Sequence, residues 1–379
     1  MSATGALATV VGPTADACTV RTMPRVLFVT RKFPPSVGGM ETLAVDVWHA
    51  LDGGDARLIA HRGSNRGLPW FLVRAAVSAR RAARRREVDL VLTGDVLTFL
   101  TLRAFARTGR ARLATMAMGK DVVWPPRPYQ WLVRRWLPSA DLVVAISQAT
   151  AGTAIAVGVP DNRVQVVRLG VEEPPEADRE EARRELRKRL GIDDETVVIA
   201  TLGRLVRRKG VAWFVREVLP RLPERCVYVV AGDGDDRAQV VDARAALADP
   251  RRVRLLGAVD DADRELLLRG CDIFAQPNIP VAGDMEGFGL VAIEASMRGA
   301  LVVAADLEGL RDAVVDGETG IVVAAQDAGA WVRRIGGLFE GDRLASLAAQ
   351  YADGCRRLYG RDRMGAELRQ VLGVRSPSA

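Results

Sequence analysis

Short apolar strands alternate with helices in two successive runs, and this alternation constrains the fold more than any other feature of the chain. In the first run, residues 25–30 form an apolar strand, a glycine-containing loop follows, and Leu43, Val47 and Leu51 then share one helical face. A strand, a glycine loop and a helix make half of a Rossmann unit. The second run restarts the pattern with a strand at residues 197–202. We therefore predict an α/β protein with two Rossmann-like domains.

A charged segment separates the two runs. It begins with Pro174 and Pro175, which mark a linker, and continues as a surface helix over residues 179–190. We predict a loose tail at residues 1–23, domains at 24–171 and 172–355, and a last segment at 356–379 that crosses back to the first domain. Two final helices are expected near residues 328–339 and 344–371. Met23 directly precedes the first strand and is a candidate for the natural start.

Composition excludes several classes of function. Aromatic residues make up 5% of the chain, too few for a base-stacking platform, and acidic residues are interleaved with the basic ones, so we expect no nucleic-acid partner. The cysteines, Cys18, Cys226, Cys271 and Cys355, lack metal-ligand spacing, and the two histidines exclude a His-rich metal site. The chain has no run of 18 apolar residues, so we predict no membrane-spanning helix. The net charge of +7 favours anionic partners.

Residues 286–294 carry the most chemical information. They follow a buried strand at 271–276 and lead into a helix, and Gly287 and Gly289 let the backbone approach a ligand closely. Free amides at that helix start would attract a phosphate. Because phosphate repels carboxylates, we expect Glu286 and Glu294 to bind hydroxyl groups elsewhere on the same ligand. A diphosphate between two hydroxylated groups describes a nucleotide sugar.

This stretch resembles the E-x7-E motif of the retaining family 4 glycosyltransferases, which have the GT-B architecture of two Rossmann-like domains facing a cleft. Residues 203–210, Gly-Arg-Leu-Val-Arg-Arg-Lys-Gly, match the G-R-x4-K-G segment of that family. Gly38 and Gly39 match a Gly-Gly loop after the first strand, and Gly232-Asp233-Gly234 is similar to a Gly-x-Gly-Pro segment in which Asp235 replaces proline. The resemblance extends from about residue 25 to about residue 360.

The resemblance implies a role for each matching residue. The catalytic set would be Arg204 and Lys209, which neutralise the departing diphosphate, Glu286, which holds donor-sugar hydroxyls, and Asp121. The first domain would supply the acceptor site and the second would bind the nucleotide sugar, with Glu294 on the ribose. The remaining donor contacts would be Gly38, Gly39, Gly234, Gly287, Phe288, Gly289 and Leu290. The nucleotide sugar is a co-substrate, and neither a metal nor another cofactor is expected.

The chain departs from the family at one position of this set. Met118 stands where the family often has a histidine beside the transferred sugar, while Gly119 and Asp121 match. Methionine cannot accept a proton, so the details of catalysis or the choice of sugar would differ. In the family the leaving phosphate itself takes the acceptor's proton, which makes the replacement tolerable. Asp121 either holds sugar or acceptor or simply caps a helix.

Basic residues cluster on the helix predicted over residues 71–87. They form either a solvated face or a surface that contacts an anionic membrane. The aromatic and basic segment 124–131 either binds a lipid or glycan acceptor or packs the first domain. We expect a cytoplasmic protein with peripheral contact at the inner face of the membrane.

The expected reaction is retaining transfer of a hexose-type sugar from a UDP- or GDP-sugar to a glycan, a glycolipid or another lipid-linked acceptor, or a small molecule. Two alternatives stay open: a non-catalytic nucleotide-sugar-binding partner of another transferase, which the replacement at Met118 suggests, and a sugar-nucleotide epimerase.

Overall fold

Two parallel six-stranded sheets form the frame of the molecule. The computed structural model describes residues 24–35, 39–51, 55–63, 65–105, 111–340 and 342–374. The first sheet has the order β2-β1-β3-β4-β5-β6 and the second β12-β11-β10-β7-β8-β9. The strands are β1 (Val26–Thr30), β2 (Ala56–Ala60), β3 (Leu90–Thr93), β4 (Arg112–Ala117), β5 (Leu142–Ala145), β6 (Val164–Val166), β7 (Val197–Leu202), β8 (Cys226–Ala231), β9 (Val253–Gly257), β10 (Ile273–Gln276), β11 (Leu301–Ala305) and β12 (Ile321–Val323). This arrangement confirms the predicted α/β class with two Rossmann-like units.

Helices cover both faces of each sheet, which is why the central strands β1, β3, β10 and β11 are buried at every position. The helices are α1 (Gly39–Leu51), α2 (Leu68–Arg84), α3 (Val96–Phe105), α4 (Lys120–Val123), α5 (Arg127–Trp136), α6 (Gln148–Ala156), α7 (Arg179–Leu190), α8 (Val211–Trp213), α9 (Arg237–Ala245), α10 (Asp261–Gly270), α11 (Leu290–Met297), α12 (Leu310–Ala313), α13 (Ala328–Gly336), α14 (Arg343–Tyr359) and α15 (Arg361–Leu372). Among the residues described, no helix combines the length and the apolar character needed to cross a membrane.

The chain passes between the two halves twice, and the two crossings lie side by side. The amide of Val171 donates to the Tyr359 carbonyl at 2.7 Å, and the amide of Arg361 donates to the Val171 carbonyl at 3.2 Å. Gly170 fits against the second crossing because a Cβ there would lie 2.8 Å from the Gly360 carbonyl oxygen. The single helix predicted over residues 344–371 is wrong, because Gly360 has extended backbone (φ −62°, ψ 140°) and separates α14 from α15.

Helix α15 packs on α1 of the first sheet. Arg361 pairs with Asp46 at 2.9 Å, and the Arg369 guanidinium donates to the Ala50 carbonyl at 3.1 Å. On the opposite side, the loops at the carboxyl ends of the two sheets meet. The Gln148 amide at the start of α6 donates to the Asp312 carboxylate of α12 at 2.9 Å. Ligands of open α/β sheets bind at these carboxyl ends, so both sheets present their binding edges to one cleft.

Candidate active site

A buried carboxylate surrounded by donors marks the second half's side of the cleft. One oxygen of Glu286, Oε2, accepts from Lys209 Nζ at 2.5 Å, from Arg208 Nη1 at 2.5 Å and from Asn278 Nδ2 at 3.1 Å. Lys209 also donates to the side-chain carbonyl of Gln276 at 3.3 Å. The sequence elements that supply these groups are the turn after β7, the end of β10 and the start of the E-x7-E motif. The fold therefore brings together Glu286 and Lys209, which lie 77 residues apart.

The charge of Glu286 is fixed by these neighbours. Burial would raise the pKa of Glu286, but Lys209 and Arg208 outweigh burial, and with the hydrogen bonds from Lys209 and Asn278 they lower the pKa to about 2. The carboxylate is therefore ionised throughout the physiological range. It can accept hydrogen bonds from ligand hydroxyls through Oε1, the oxygen that the three protein donors leave open.

The loop after Glu286 offers a row of backbone donors. The amides of Gly287, Phe288, Gly289 and Leu290 make no hydrogen bond within the described part of the chain. Gly289 has φ of 99° and directly precedes α11, so glycine is the residue that this turn requires. The Phe288 side chain is buried and packs edge-on against Tyr359, with 6.0 Å between ring centroids, so only its backbone faces the cleft. Unpaired amides at a helix start are suited to an anionic ligand.

Arg204 and Gly234 lie in adjacent loops at the same edge. The Leu205 amide donates to the Asp233 carbonyl at 2.9 Å, and a Cβ at Gly234 would lie 2.3 Å from the Leu205 carbonyl oxygen. Arg204 is exposed, and no described residue pairs with its guanidinium. Arg204 is therefore available to a ligand, whereas Lys209 is already paired with Glu286.

Glu294 lies in the second turn of α11 and has a cationic partner. Arg264 of α10 approaches the Glu294 Oε2 atom to 2.5 Å. The other carboxylate oxygen has no protein donor within the described chain. Glu294 can therefore accept from a ligand hydroxyl while Arg264 fixes its orientation.

The loop that carries Met118 faces the E-x7-E motif across the cleft. A Cβ at Gly287 would lie 2.5 Å from the Met118 carbonyl oxygen, and one at Gly119 would lie 3.2 Å from the Met285 sulfur. Lys120 pairs with Asp284 at 2.8 Å. The two halves thus touch directly beside the Glu286 cluster.

Asp121 binds backbone amides with both carboxylate oxygens. Oδ1 accepts from the Met118 amide at 2.8 Å and Oδ2 accepts from the Val96 amide at 3.0 Å. Burial is the main cause that raises the pKa of Asp121 to about 6, and the nearby Asp95 adds to it. In this geometry Asp121 joins the loops after β3 and β4. Its membership of the catalytic set stays a prediction.

Asp121 should make stability depend on pH in a defined direction. The pKa of Asp121 is about 6 in the folded protein and near 4 in an unfolded chain, so the folded state binds this proton more tightly. Above pH 6 the carboxylate is charged in both states, and the folded state carries the cost of burying that charge. Lowering the pH from 8 to 4.5 should therefore raise the Tm of the wild type relative to Asp121→Asn by a few degrees, mostly between pH 7 and 4.5. A pH-independent Tm difference between the two proteins would contradict the raised pKa.

Gly39 forms the start of α1, is exposed, and has nothing within 4 Å of a Cβ built on it. Gly38 lies outside the described residues, as does Cys18.

The structure adds residues to the site that the sequence analysis missed. Arg208 occupies one of the four unspecified positions of the G-R-x4-K-G pattern, and Asn278 follows a strand with no motif to mark it.

Two Rossmann-like sheets that present their carboxyl edges to one cleft, with a cationic and amide-lined site on the second, define the GT-B class of glycosyltransferases. Residues 26–173 match the family described as Glycosyltransferase Family 4, and residues 196–341 match the one described as Glycosyl transferases group 1. The chain belongs to this family of glycosyltransferases and is an enzyme that transfers sugar.

Curated relatives cover much of the chain. It is 27% identical to a GDP-mannose-dependent alpha-(1-6)-phosphatidylinositol monomannoside mannosyltransferase of Mycolicibacterium smegmatis, over 85% of this chain and 91% of the relative. It is 32% identical to D-inositol 3-phosphate glycosyltransferases of Xylanimonas cellulosilytica and Salinispora tropica. These matches cover 76% and 77% of this chain, and the chain spans 67% and 60% of the two relatives.

Solved structures share the fold. The Anabaena protein HepE, solved in complex with UDP-glucose, superposes with a TM-score of 0.71 at 19% identity, over 92% of this chain and 99% of that one. This similarity confirms the GT-B architecture.

Proposed function

We propose that the protein is a retaining hexosyltransferase that uses a GDP- or UDP-sugar and acts on an anionic, phosphoinositol-type acceptor. The observation that carries the donor part is the Lys209–Glu286–Arg208 cluster beside the free amides of residues 287–290. Cations and amides suit a diphosphate, and the open oxygen of Glu286 suits sugar hydroxyls.

The residues divide the work of transfer between them. Lys209 and Arg204 stabilise the negative charge that develops on the diphosphate as its bond to the sugar C1 breaks. Glu286 orients the sugar through its hydroxyls, and the amides of residues 287–290 hold the phosphates. The acceptor oxygen forms the new bond to C1 on the face from which the diphosphate departs, and its proton passes to a departing phosphate oxygen. No side chain has to accept that proton, which is compatible with Met118.

The proposed acceptor rests on the substrates for which the relatives are named and on positively charged side chains in the first half of this chain. The relatives are named for phosphatidylinositol mannoside and inositol 3-phosphate substrates, which all carry a phosphate. In this chain Lys32 and Arg62 lie at the carboxyl edge of the first sheet. Lys32 pairs with Glu41 at 3.1 Å, whereas Arg62 lies 5.6 Å from the centroid of the Phe33 ring and has no carboxylate partner among the described residues. Arg62 is the cation that we assign to the acceptor phosphate.

Ligand-induced stabilisation tests the donor assignment. Melting curves with GDP, UDP, TDP and ADP at equal concentration should single out GDP or UDP, since a ligand at 100 times its Kd stabilises by about 2.7 kcal/mol. Glu294→Gln should then weaken binding of that nucleotide about tenfold or more, because a ribose hydroxyl loses a charged acceptor. Glu340→Gln, an exposed change outside the site, is the control. Equal nucleotide affinity in wild type and Glu294→Gln would exclude the ribose role.

Products distinguish the alternatives. Incubation of the nucleotide sugar without acceptor should leave the sugar configuration unchanged, whereas an epimerase would convert it. Sugar transfer by the isolated protein to an inositol phosphate or phosphatidylinositol acceptor would exclude a non-catalytic partner. Failure of transfer to every phosphorylated acceptor, with transfer to neutral glycans, would overturn the acceptor assignment.

We further propose that α2 contacts an anionic membrane surface. Trp70, Val73 and Val77 follow helical spacing, and 68%, 46% and 62% of their respective surfaces are exposed. Five exposed arginines flank this apolar stripe: Arg74, Arg80, Arg81, Arg84 and Arg85. An exposed apolar stripe bordered by cations suits the interface of an acidic bilayer. The buried face of α2 consists of alanines, so the tryptophan and the valines are not needed for its core packing.

Vesicle sedimentation tests this surface. Binding to vesicles with acidic lipid should fall about a hundredfold in the triple variant Arg80→Glu, Arg81→Glu, Arg84→Glu, since each basic residue near the surface contributes about 1 kcal/mol. A matched triple change of exposed arginines elsewhere, Arg237, Arg251 and Arg333, should weaken binding far less. Equal loss in both triples would indicate net charge alone, and unchanged binding in the α2 triple would exclude the contact.

A further inference from the structure

The segment between β11 and α12 contains a backbone conformation that its sequence does not favour. Glu308 has φ of 49°, in the left-handed region that glycine adopts readily. Of the described residues, only Arg86 and Gln326 share this feature among the non-glycines, and neither contacts the residues of the candidate site. A strained backbone conformation of this kind costs about 1–3 kcal/mol, and such residues cluster at functional sites, where the strain is part of the mechanism.

Glu308 makes one contact that glycine would lose. Its Oε2 atom accepts a hydrogen bond from the Glu286 amide at 2.6 Å. The next residue binds the other side of the same peptide segment, because the Gly309 amide donates to the Glu286 carbonyl at 3.2 Å. Residues 308 and 309 therefore hold Glu286 by its backbone on both sides.

The fit along this contact is close. A Cβ at Gly309 would lie 2.1 Å from the Gly287 carbonyl oxygen, so the two backbones touch. A Cβ at Gly289 would lie 2.6 Å from Leu310 Cδ2. The segment 308–310 thus lies along the full length of the loop 286–289 and determines its shape.

The contact also has an electrostatic cost. Burial raises the pKa of Glu308, and the nearby carboxylates of Glu286 and Asp284 raise it further, while the hydrogen bond from the Glu286 amide and the charge of Arg208 oppose them. Glycine at 308 would relieve the strained φ and remove the repulsion between carboxylates, at the cost of the hydrogen bond from the Glu286 amide. The strained φ and the contact with the Glu286 amide together point to a role at Glu286.

We propose that Glu308 is a positioning residue for sugar transfer: its carboxylate holds the Glu286 amide so that the Glu286 carboxylate meets the donor sugar in the reactive orientation. This inference rests on the proposed function, because it assigns to Glu286 the binding of the transferred sugar. The Glu308 carboxylate binds the amide of Glu286, whereas the amides proposed to hold the phosphates begin at residue 287, so we expect the contact to act mainly on the sugar end of the donor.

A loss of rate without a matching loss of stability would distinguish this role from a purely structural one. Glu308→Gly relieves the strained φ and loses one hydrogen bond, so its Tm should stay within a few degrees of the wild type, yet its kcat should fall at least about tenfold. Its affinity for the nucleoside diphosphate alone should change less than about threefold. Glu308→Gln keeps an acceptor oxygen and should recover most of the wild-type kcat.

Gln326 provides the matched control, since it is exposed, precedes α13 and has φ of 59°. Gln326→Gly should relieve strain in the same way and leave kcat unchanged. Wild-type kcat in Glu308→Gly, or equal losses in Glu308→Gly and Gln326→Gly, would overturn the inference while the proposed function stands. A wild-type protein that transfers no sugar would instead overturn the proposed function, and this inference with it.

Discussion

Replacement of Lys209 by alanine is expected to lower kcat at least about a hundredfold, because an electrostatic donor at a developing negative charge contributes about 3–4 kcal/mol. The fold should survive the change, since Glu286 keeps Arg208 and Asn278 as partners. Single-turnover kinetics with saturating donor measure the effect directly.

Arg207 offers the matched control for Lys209. It belongs to the same turn, residues Arg207–Lys209, but its side chain is exposed and does not contact Glu286. Arg207→Ala should retain kcat within about twofold. Equal losses in the two variants would show that the turn needs positive charge in general, and unchanged turnover in Lys209→Ala would remove Lys209 from the mechanism.

Gly287→Ala should abolish most activity without unfolding either half. The added Cβ would lie 2.5 Å from the Met118 carbonyl oxygen, an atom of the opposite half, and 3.0 Å from Ile146 Cδ1. A backbone atom cannot yield to it by rotating a side chain, so the two halves must separate. Because transfer requires both substrates in one closed cleft, we expect kcat to fall about a hundredfold or more.

Nucleotide affinity separates this steric effect from damage to the donor site. Binding of the nucleoside diphosphate should change far less than kcat in Gly287→Ala, since most of the proposed nucleotide contacts, the amides of residues 287–290, Arg204 and Glu294, lie on the second half. Gly152→Ala, in α6 at a position with nothing within 4 Å of a Cβ, is the control and should be fully active. Loss of nucleotide binding in Gly287→Ala would place the damage in the donor site instead of the cleft.

The two-domain α/β architecture could be predicted from the sequence, because parallel strands that are buried on both faces appear in the sequence as continuous apolar runs. The strand at residues 197–202 has the predicted bounds, and α7 spans the predicted residues 179–190. The last helices were mispredicted as one, since both sides of Gly360 have helical periodicity and only the pairing with Val171 breaks the helix. Such a break depends on a contact between distant segments.

The same limit applies to the site. Glu286 and Lys209 were identified because they occupy fixed places in motifs, and the structure joins them. Arg208 could not be assigned from sequence, because in a turn its direction depends on where Glu286 and Asp284 lie in space. Glu308 carried no signal at all, since neither its φ nor its contact with a backbone amide is encoded in a local pattern.

The return of α15 to the first half has a consequence for biosynthesis. Met364, Leu368 and Leu372 of α15 are buried, and α15 covers α1, which lies more than 300 residues earlier in the chain. A ribosome releases the first sheet long before it releases this covering helix. We expect the domain that is made first to be completed last, with α1 open to chaperones or to premature association throughout synthesis of the second domain.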